Sequence, residues 1–274
     1  FDIFVLKLKI SIMRYYAFMF AFIVLLSISV NAQKKQNPFV VLAYNVENLF
    51  DTINAPGVND EDFTPGGAKK WTYDRYEKKL KDITRVILSL PEKELPALIG
   101  LSEVENAGVL EDLVQVRGLH RGNYKIIHED NRDPRGIECA LLYRDDLFKY
   151  KSHQYLPIAD PMDTAYRYRA ILHVNGTGPD GSSLHVFVNH WKSRSGGVEQ
   201  TERQRMLAAI ALRRQLDLLL SRESDFKVII MGDFNDEPTN KSITDVLNAS
   251  NKSCLLYTSP SPRDRTRSRM PSSA

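Results

Sequence analysis

Short apolar runs along the chain alternate with longer stretches in which apolar residues recur at the period of a helix. Strands are predicted for the short runs, at residues 39–44, 98–101, 124–128, 138–143, 168–174, 184–189 and 228–231. Helices are predicted over residues 71–90 and 199–222, where apolar side chains fall on one helix face. This mixture predicts an α/β protein with covered sheets. Because no repeat or low-complexity linker divides the body of the chain, we expect one domain there.

The last of these apolar runs, at residues 228–231, stops at Gly232 and is followed at once by polar residues. Asp233 and Asn235 lie two positions apart, so in an extended chain both side chains would point the same way. A carboxylate beside an amide suits a hard cation, a phosphate oxygen or an attacking water. The simpler interpretation is a strand followed by a turn rich in Asp and Asn, which Pro238 closes.

Polar residues also follow three other predicted strands: Asn45 with Glu47, Glu103 with Glu105, and His190 with Lys192 and Arg194. Carboxylates and amides without a thiolate suit Mg²⁺, Mn²⁺ or Ca²⁺ better than structural zinc, because hard cations prefer oxygen ligands. A histidine among cationic residues suits a group that stabilises or protonates a phosphate oxygen. Together the four strand ends predict metal-assisted hydrolysis of a phosphate ester.

The beginning of the chain has the pattern of a secretory signal peptide. Met13 is the expected start, Arg14 gives a short basic region, and residues 15–30 form an apolar core ahead of a small-residue cleavage site at Ala32. The alternative is a membrane anchor, but the apolar run is at the short end for a span. We therefore expect a secreted or periplasmic protein that begins near Gln33 and has no membrane segment in its mature form.

The end of the chain differs in character from the rest. Residues 254–264 resemble a translated transposon-end sequencing adapter, and residues 268–274 resemble the outer part of the same adapter. The alternative is a disordered tail rich in Ser, Pro and Arg. We expect upstream residues and signal peptide over 1–32, the folded domain over 33–253, incomplete at its C-terminus, and a non-native tail over 254–274.

Charge and cysteine content depend on these ends. The chain has a formal net charge of +3, of which residues 1–32 contribute +2 and residues 254–274 contribute +3, leaving −2 for residues 33–253. A surface for polyanions therefore cannot be inferred from the basic isoelectric point. Cys139 is the only cysteine before residue 254. An exported domain with one thiol has no internal disulfide and must rely on its hydrophobic core.

Five sequence blocks, taken in order, resemble the endonuclease/exonuclease/phosphatase superfamily of metal-dependent hydrolases. They lie at residues 44–49, 101–104, 133–143, 188–194 and 232–235, and the last two contain Asn-His-Trp-Lys-Ser-Arg and Gly-Asp-Phe-Asn. The resemblance covers about residues 39–238. It implies a deoxyribonuclease I-like four-layer α/β sandwich, in which two packed mixed sheets are flanked by helices.

The same resemblance implies roles for five residues. Glu103 would be the main metal ligand, and Asn45 would help to hold the metal or the phosphate. Asp233 and Asn235 would position the attacking water and the scissile phosphate, and His190 would protonate or stabilise a phosphate oxygen. To these we add three cations as phosphate contacts, because an anionic substrate needs charge compensation; solvated surface charge is the alternative for Arg135, Lys192 and Arg194.

Several nearby residues remain open between a role in the site and a structural role. Tyr166, Tyr168 and Arg169 could stack on a base or sugar, or could pack on a strand. Glu47 and Glu105 could support the site or be exposed. His128 and His173 are interpreted as structural histidines within strands.

One departure from the superfamily pattern affects the expected activity. No Ser-Asp-His block follows Pro238, so we expect the fold to lack its last strand or strands and this chain to be inactive. The intact protein is expected to be a monomeric, divalent-metal-dependent nuclease that uses Mg²⁺, or alternatively Mn²⁺ or Ca²⁺, with nucleic acid as substrate and no stable protein partner. A phosphatase or sphingomyelinase-like phospholipase C is the alternative, and a catalytically dead binding protein of the same fold is a third hypothesis.

Overall fold

The strands and helices follow one another in a mixed order along the chain. The computed structural model describes residues 38–90, 94–130 and 133–249. Its strands are β1 (Val41–Leu49), β2 (Leu98–Val104), β3 (Tyr124–Ile127), β4 (Glu138–Arg144), β5 (Lys149–Leu156), β6 (Ile171–Thr177), β7 (Ser183–His190) and β8 (Phe226–Asp233). Its α-helices are α1 (Tyr73–Leu88), α2 (Ala107–Gln115) and α3 (Val198–Arg222). Short 3-10 segments lie at Glu61–Phe63 and Leu119–Gly122, and a π-helical turn lies at Ser242–Val246.

The strands form two mixed sheets of four strands each, with the orders β1-β2-β4-β3 and β5-β6-β7-β8. In the first sheet β1 is parallel to β2, while β4 is antiparallel to both β2 and β3. In the second sheet β6 is antiparallel to both its neighbours, and β7 is parallel to β8. The ends of β1 and β2 therefore lie side by side, as do those of β7 and β8, and a hydrogen bond between Asn45 and Asp233 places both pairs at the same end of the sandwich.

Three apolar clusters hold the layers together. The cluster between the sheets joins Leu98 and Leu141 to Leu172, Val186 and Met231. A second cluster packs α1 and α2 on the outer face of the first sheet, and a third packs α3 and the π-helical turn on the second sheet. The predicted sandwich of two packed mixed sheets flanked by helices is confirmed.

The helical period over residues 71–90 identified both α1 and its buried face. Tyr76, Leu80, Ile83 and Ile87 are buried against the first sheet, as the spacing predicts, whereas Val86 is 36% exposed. Repeats of three and four residues place side chains on one helix face, which is why the pattern was sufficient here.

Two elements were not predicted. Helix α2 buries Val109, Leu110, Leu113 and Val114, and the Asn106 side chain caps its first turn by accepting from the Val109 N–H at 3.0 Å. That cap followed by apolar pairs four residues apart was the available signal. Strand β5 lies at the edge of its sheet, and its residues are mostly exposed. The apolar alternation that marks a half-buried strand is therefore weak.

The strand predicted at residues 228–231 is present within β8, and of the four residues only Met231 is buried. Val228, Ile229 and Ile230 are only partly buried, because β8 pairs with β7 alone among the described residues.

Cys139 is a buried free thiol. No helix within the described ranges is long and apolar enough to cross a membrane. The predicted signal peptide and the predicted tail over 254–274 lie outside the described residues.

Candidate active site

The backbone of β1 and β2 is irregular where the two strands reach the site. The register between them shifts between Asn45 and Leu49, so β1 bulges there. Glu47 and Asn48, inside the bulge, have positive φ angles of 54° and 64°, and Glu103 on β2 has a φ of 65°. Bulges and left-handed residues turn side chains away from the regular alternation of a strand. Here they accompany the turning of Asn45 and Glu103 toward each other.

The Asn45 amide links two carboxylates. Its Nδ2 donates to Glu103 Oε1 at 3.2 Å and to Asp233 Oδ2 at 2.9 Å. Its Oδ1 accepts from the backbone N–H of Glu47 at 2.9 Å. Two carboxylates in a partly buried site repel each other, and a shared amide donor offsets part of that repulsion. The oxygen of Asn45 is therefore engaged by the backbone, and its nitrogen faces the acidic pair.

His190 completes this group from the second sheet. It pairs with Asp233 in the register of β7 and β8, and its Nε2 lies 3.4 Å from Glu103 Oε1. Burial lowers the pKa of His190 to about 2, with Arg169 and Arg135 adding to the effect. The imidazole is consequently neutral at pH 7, and its Nε2 can carry a proton to donate in a hydrogen bond.

Asn235 does not follow the arrangement expected from an extended chain. It has a φ of 49°, its N–H donates to Asp233 Oδ1 at 2.9 Å, and its side-chain Nδ2 donates to Trp191 O at 3.1 Å. A left-handed residue reverses the local direction of the chain, so the rule that residues two apart share a face does not apply. The turn suggested by the simpler interpretation is present. It orients the Asp233 carboxylate while Asn235 binds the strand-end backbone.

The three predicted phosphate contacts have different surroundings. Arg135 donates from Nη2 to Asn48 Oδ1 at 3.1 Å and lies close enough to His190 to lower its pKa. The Lys192 ammonium lies 5.5 Å from the centroid of the Tyr166 ring. Arg194 is committed to protein acceptors, among them Asn235 O at 2.8 Å and Glu237 Oε1 at 3.1 Å. Arg135 and Lys192 thus border the site, whereas Arg194 holds the Asn235 turn.

Two groups that shape the site were not assigned to it from the sequence. Arg169, considered earlier only for stacking, donates from Nε to His190 O at 3.2 Å and from Nη2 to Trp191 O at 3.0 Å. Glu138, at the start of β4, is 1% exposed, and burial raises its pKa to about 8. A polar residue within an apolar strand run was the available signal for Glu138.

A buried ion pair supports the turn that follows Asp233. Arg205 on α3 is 0% exposed and donates from Nε to Asp236 Oδ1 at 2.6 Å. The other Asp236 oxygen accepts from Ser242 Oγ at 2.5 Å. Sequence periodicity gave no signal for this pair, because a charged residue on a helix is normally placed on the solvated face.

The oxygen groups of the site fit a small divalent ion. Glu103 and Asp233 supply two carboxylates around one amide, and Mg²⁺ commonly binds one or two carboxylates while keeping several waters. Within the described ranges, no group of three or more His, Cys, Asp or Glu side chains is arranged to hold a metal ion. The donor set is thus that of a sparsely ligated, water-rich ion rather than a closed protein cage.

Two mixed sheets packed face to face, with helices outside and a polar centre where strands of both sheets end, define the class of deoxyribonuclease I-like α/β sandwich proteins. The chain belongs to the endonuclease/exonuclease/phosphatase family, whose model matches residues 40–257. No protein with a curated description is similar enough in sequence to count as a match.

Solved structures of other proteins share the fold. A conserved protein of unknown function from Enterococcus faecalis V583 aligns with a TM-score of 0.52 and 15% identity, over 76% of this chain and 71% of that one. An endonuclease/exonuclease/phosphatase family protein from Bacteroides thetaiotaomicron aligns with a TM-score of 0.50 and 18% identity, over 76% and 66%. TDP2 from Caenorhabditis elegans aligns with a TM-score of 0.48 and 14% identity over 72% of this chain, which spans about half (48%) of its length.

Proposed function

We propose that the protein is a divalent-metal-dependent phosphodiesterase that hydrolyses nucleic acid outside the cytoplasm. The observation that carries this proposal is the contact among Asn45, Glu103, His190 and Asp233, which come from both sheets and lie within 3.4 Å of at least one other member. A metal ion held by Glu103 and Asp233 would polarise a phosphoryl oxygen and acidify a water.

The residues of the chain supply the remaining requirements of phosphate-ester hydrolysis. The Asp233 carboxylate, oriented by the Asn235 N–H, would accept a hydrogen bond from the attacking water. The neutral His190 would donate its Nε2–H to a phosphate oxygen as negative charge develops there. Arg135 and Lys192, at the border of the site, would attract the anionic substrate.

Nucleic acid is favoured over lipid or sugar phosphates by the surroundings of His190. Tyr166 and Tyr168 lie with their ring centroids 4.6 Å apart. Both line a small cleft of about 20 Å³ together with His190 and Lys192, and both are partly exposed beside it. Aromatic rings beside a cation suit a base and its phosphate, and such stacking tolerates many base sequences.

We further propose that this chain has little or no activity. Among the described residues, His190 is the only histidine in contact with the acidic pair, and its proposed role is to donate to a phosphate oxygen rather than to accept a proton from water. The absence of a general base typically lowers the rate about 10²- to 10⁴-fold.

We also propose that the protein is exported by a signal peptide at residues 13–32, and that it is a monomer without a stable protein partner. Cell fractionation and light scattering, respectively, test these two points.

Purified protein incubated with plasmid DNA, RNA, sphingomyelin vesicles and inositol phosphates tests the function. We expect at most slow cleavage of nucleic acid with Mg²⁺, none with EDTA, and loss of the remaining cleavage in Glu103→Gln. Glu111→Gln, an exposed change on α2, is the matched control. Cleavage of lipid or sugar phosphate while nucleic acid survives would favour the phosphatase or phospholipase hypothesis. Metal-independent retention of nucleic acid without cleavage, unchanged in Glu103→Gln, would favour a binding protein.

A further inference from the structure

The turn at the end of β1 has an unfavourable backbone conformation. Glu47 and Asn48 are consecutive left-handed residues, with φ angles of 54° and 64°. Asn tolerates this region better than most residues, but Glu does not share that preference. Such a conformation persists only where neighbouring groups fix it. The contacts of this turn therefore show what holds it.

Helix α1 provides one of those contacts. The Lys79 ammonium donates from Nζ to the backbone carbonyl of Glu47 at 3.0 Å, across 32 residues of sequence. On the other side, Arg135 Nη2 donates to Asn48 Oδ1 at 3.1 Å. The two left-handed residues are consequently held from two directions, by one cation from α1 and one from the loop before β4.

The backbone of this turn orients the side-chain amide of Asn45. The Glu47 N–H donates to Asn45 Oδ1, so the amide oxygen is engaged and Nδ2 faces Glu103 and Asp233. The Glu47 carbonyl and N–H lie in adjacent peptides joined at the left-handed Glu47 Cα, so a change in the Glu47 backbone angles would remove the contact that distinguishes the Asn45 oxygen from its nitrogen. The Lys79 contact with Glu47 is thus two hydrogen bonds away from the acidic pair.

Lys79 differs from its neighbours on the same helix. Lys78 and Lys81 form surface pairs with Asp82 and Glu77, at 2.6 Å and 2.8 Å, and their side chains are 68% and 64% exposed. Lys79 is partly buried. Burial lowers its pKa, while the negative charges of Glu47 and Glu103 oppose that effect. Its ammonium group therefore lies on the side of α1 that faces the acidic pair.

We propose that Lys79 is a positioning residue of the active site, which restrains the left-handed Glu47 backbone through its carbonyl and thereby the orientation of the Asn45 amide. Only its consequence for turnover rests on the proposed phosphodiesterase function. The orientation of the amide is a property of the protein without metal or substrate, and it can be measured separately.

Nuclear magnetic resonance of the ¹⁵N-labelled full chain without metal provides the direct test. The Asn45 side-chain amide signals are assigned by their loss in Asn45→Ser. In Lys79→Met we expect these signals to move toward the values of a free amide and to exchange faster with water. Lys79→Arg, which retains N–H donors, should restore them in part. Lys81→Met, an exposed change on the same helix, should leave them unchanged.

Two outcomes would overturn the proposal. Asn45 signals that remain unchanged in a folded Lys79→Met protein would show that another contact fixes the amide. Signals in the unsubstituted protein that shift toward free-amide values at about 1 M salt would show that bulk charge, which salt screens, is responsible rather than a short hydrogen bond.

Turnover provides the second measurement. Residues that orient the groups of a metal centre typically change activity about 10- to 100-fold when substituted. We expect Lys79→Met to lower kcat by that factor with little change in KM for plasmid DNA, because Lys79 does not contact substrate. If the unsubstituted protein cleaves no phosphate ester, the proposed function fails, while the amide signals still decide the role of Lys79.

Discussion

The side-chain nitrogen of Asn45 lies 2.9 Å from the Oδ2 atom of Asp233, although 188 residues separate them in sequence. Asn45 belongs to β1 of the first sheet, and Asp233 ends β8 of the second. This hydrogen bond therefore joins the two layers at the end of the sandwich where the site lies. The same amide donates to Glu103, so one side chain determines the spacing of two carboxylates.

Replacing Asn45 by Ala should remove that link and leave Glu103 and Asp233 to repel each other. Loss of a residue that orients the ligands of a metal centre typically lowers activity about 10- to 100-fold. We expect a decrease of this size in plasmid cleavage, measured at saturating Mg²⁺, with an unchanged far-ultraviolet dichroism spectrum. Turnover equal to that of the unsubstituted protein would show that the carboxylates need no such link.

The sequence was sufficient for the layers of the fold because burial imposes a period. Apolar runs predicted seven of the eight strands and both longer helices. Strand β5 was missed because its edge position leaves it mostly exposed. Burial produces the apolar pattern from which a strand or helix can be predicted, and most residues of β5 are exposed.

The residues that form the site could be predicted from the sequence, but the orientation of several of their side chains could not. Asn45, Glu103, His190 and Asp233 converge because the strands that carry them end together. The orientation of Asn235 was not predictable, since it depends on a left-handed backbone that no side-chain pattern specifies. Arg194, predicted as a phosphate contact, donates to Asn235 O, one of several protein acceptors that the five N–H donors of a guanidinium satisfy together.

Gly232 has a φ of 127°, and a Cβ atom at this position would lie 2.1 Å from the backbone oxygen of Asn189. Neither the conformation nor the contact can accommodate alanine. We expect Gly232→Ala to destabilise the protein by more than about 3 kcal/mol in urea unfolding, the upper range for incompatible backbone changes.

Gly181→Ala is the matched control: its φ is 82°, but nothing lies within 4 Å of the added atom. A smaller loss, near 1 kcal/mol, is expected there. Equal losses would show that the close approach to Asn189 does not matter.

The paired rings of His173 and His185 predict a pH-dependent stability. His173 Nε2 lies 2.9 Å from His185 Nδ1, and Gln154 Nε2 lies 3.1 Å from His173 Nδ1. Burial, and the neighbouring His185, lower the pKa of His173 to about 4. The unfolded chain then binds a proton more readily than the folded one, so stability is full above pH 6.5 and falls as the pH drops toward 4.

The loss should approach about 3 kcal/mol at pH 4, from a difference of two to three pKa units at 1.36 kcal/mol each. Urea unfolding at pH 7.5 and pH 4.5 measures it. Carboxylates also titrate in this range, so the comparison is with His173→Gln, in which the loss attributable to the histidine should disappear. Identical pH profiles for the two proteins would contradict the assignment.

The buried pair of Arg205 and Asp236 leads to a prediction about both stability and the site. Both side chains are almost fully buried, at 0% and 1% exposure, so removing Arg205 leaves the Asp236 carboxylate with only the longer contact to Arg194 Nη2, at 3.4 Å, to compensate its charge. Arg205→Met should lower the free energy of unfolding by about 3–5 kcal/mol. Arg213→Met, on the same helix, breaks a partly exposed pair with Asp217 and should lower it by less than about 1 kcal/mol. If unpaired charge is the cause, the double variant Arg205→Met, Asp236→Leu should recover part of the loss, because neither charge then remains buried. The turn that orients Asp233 includes Asp236, so plasmid cleavage should stay low in the double variant even where stability returns.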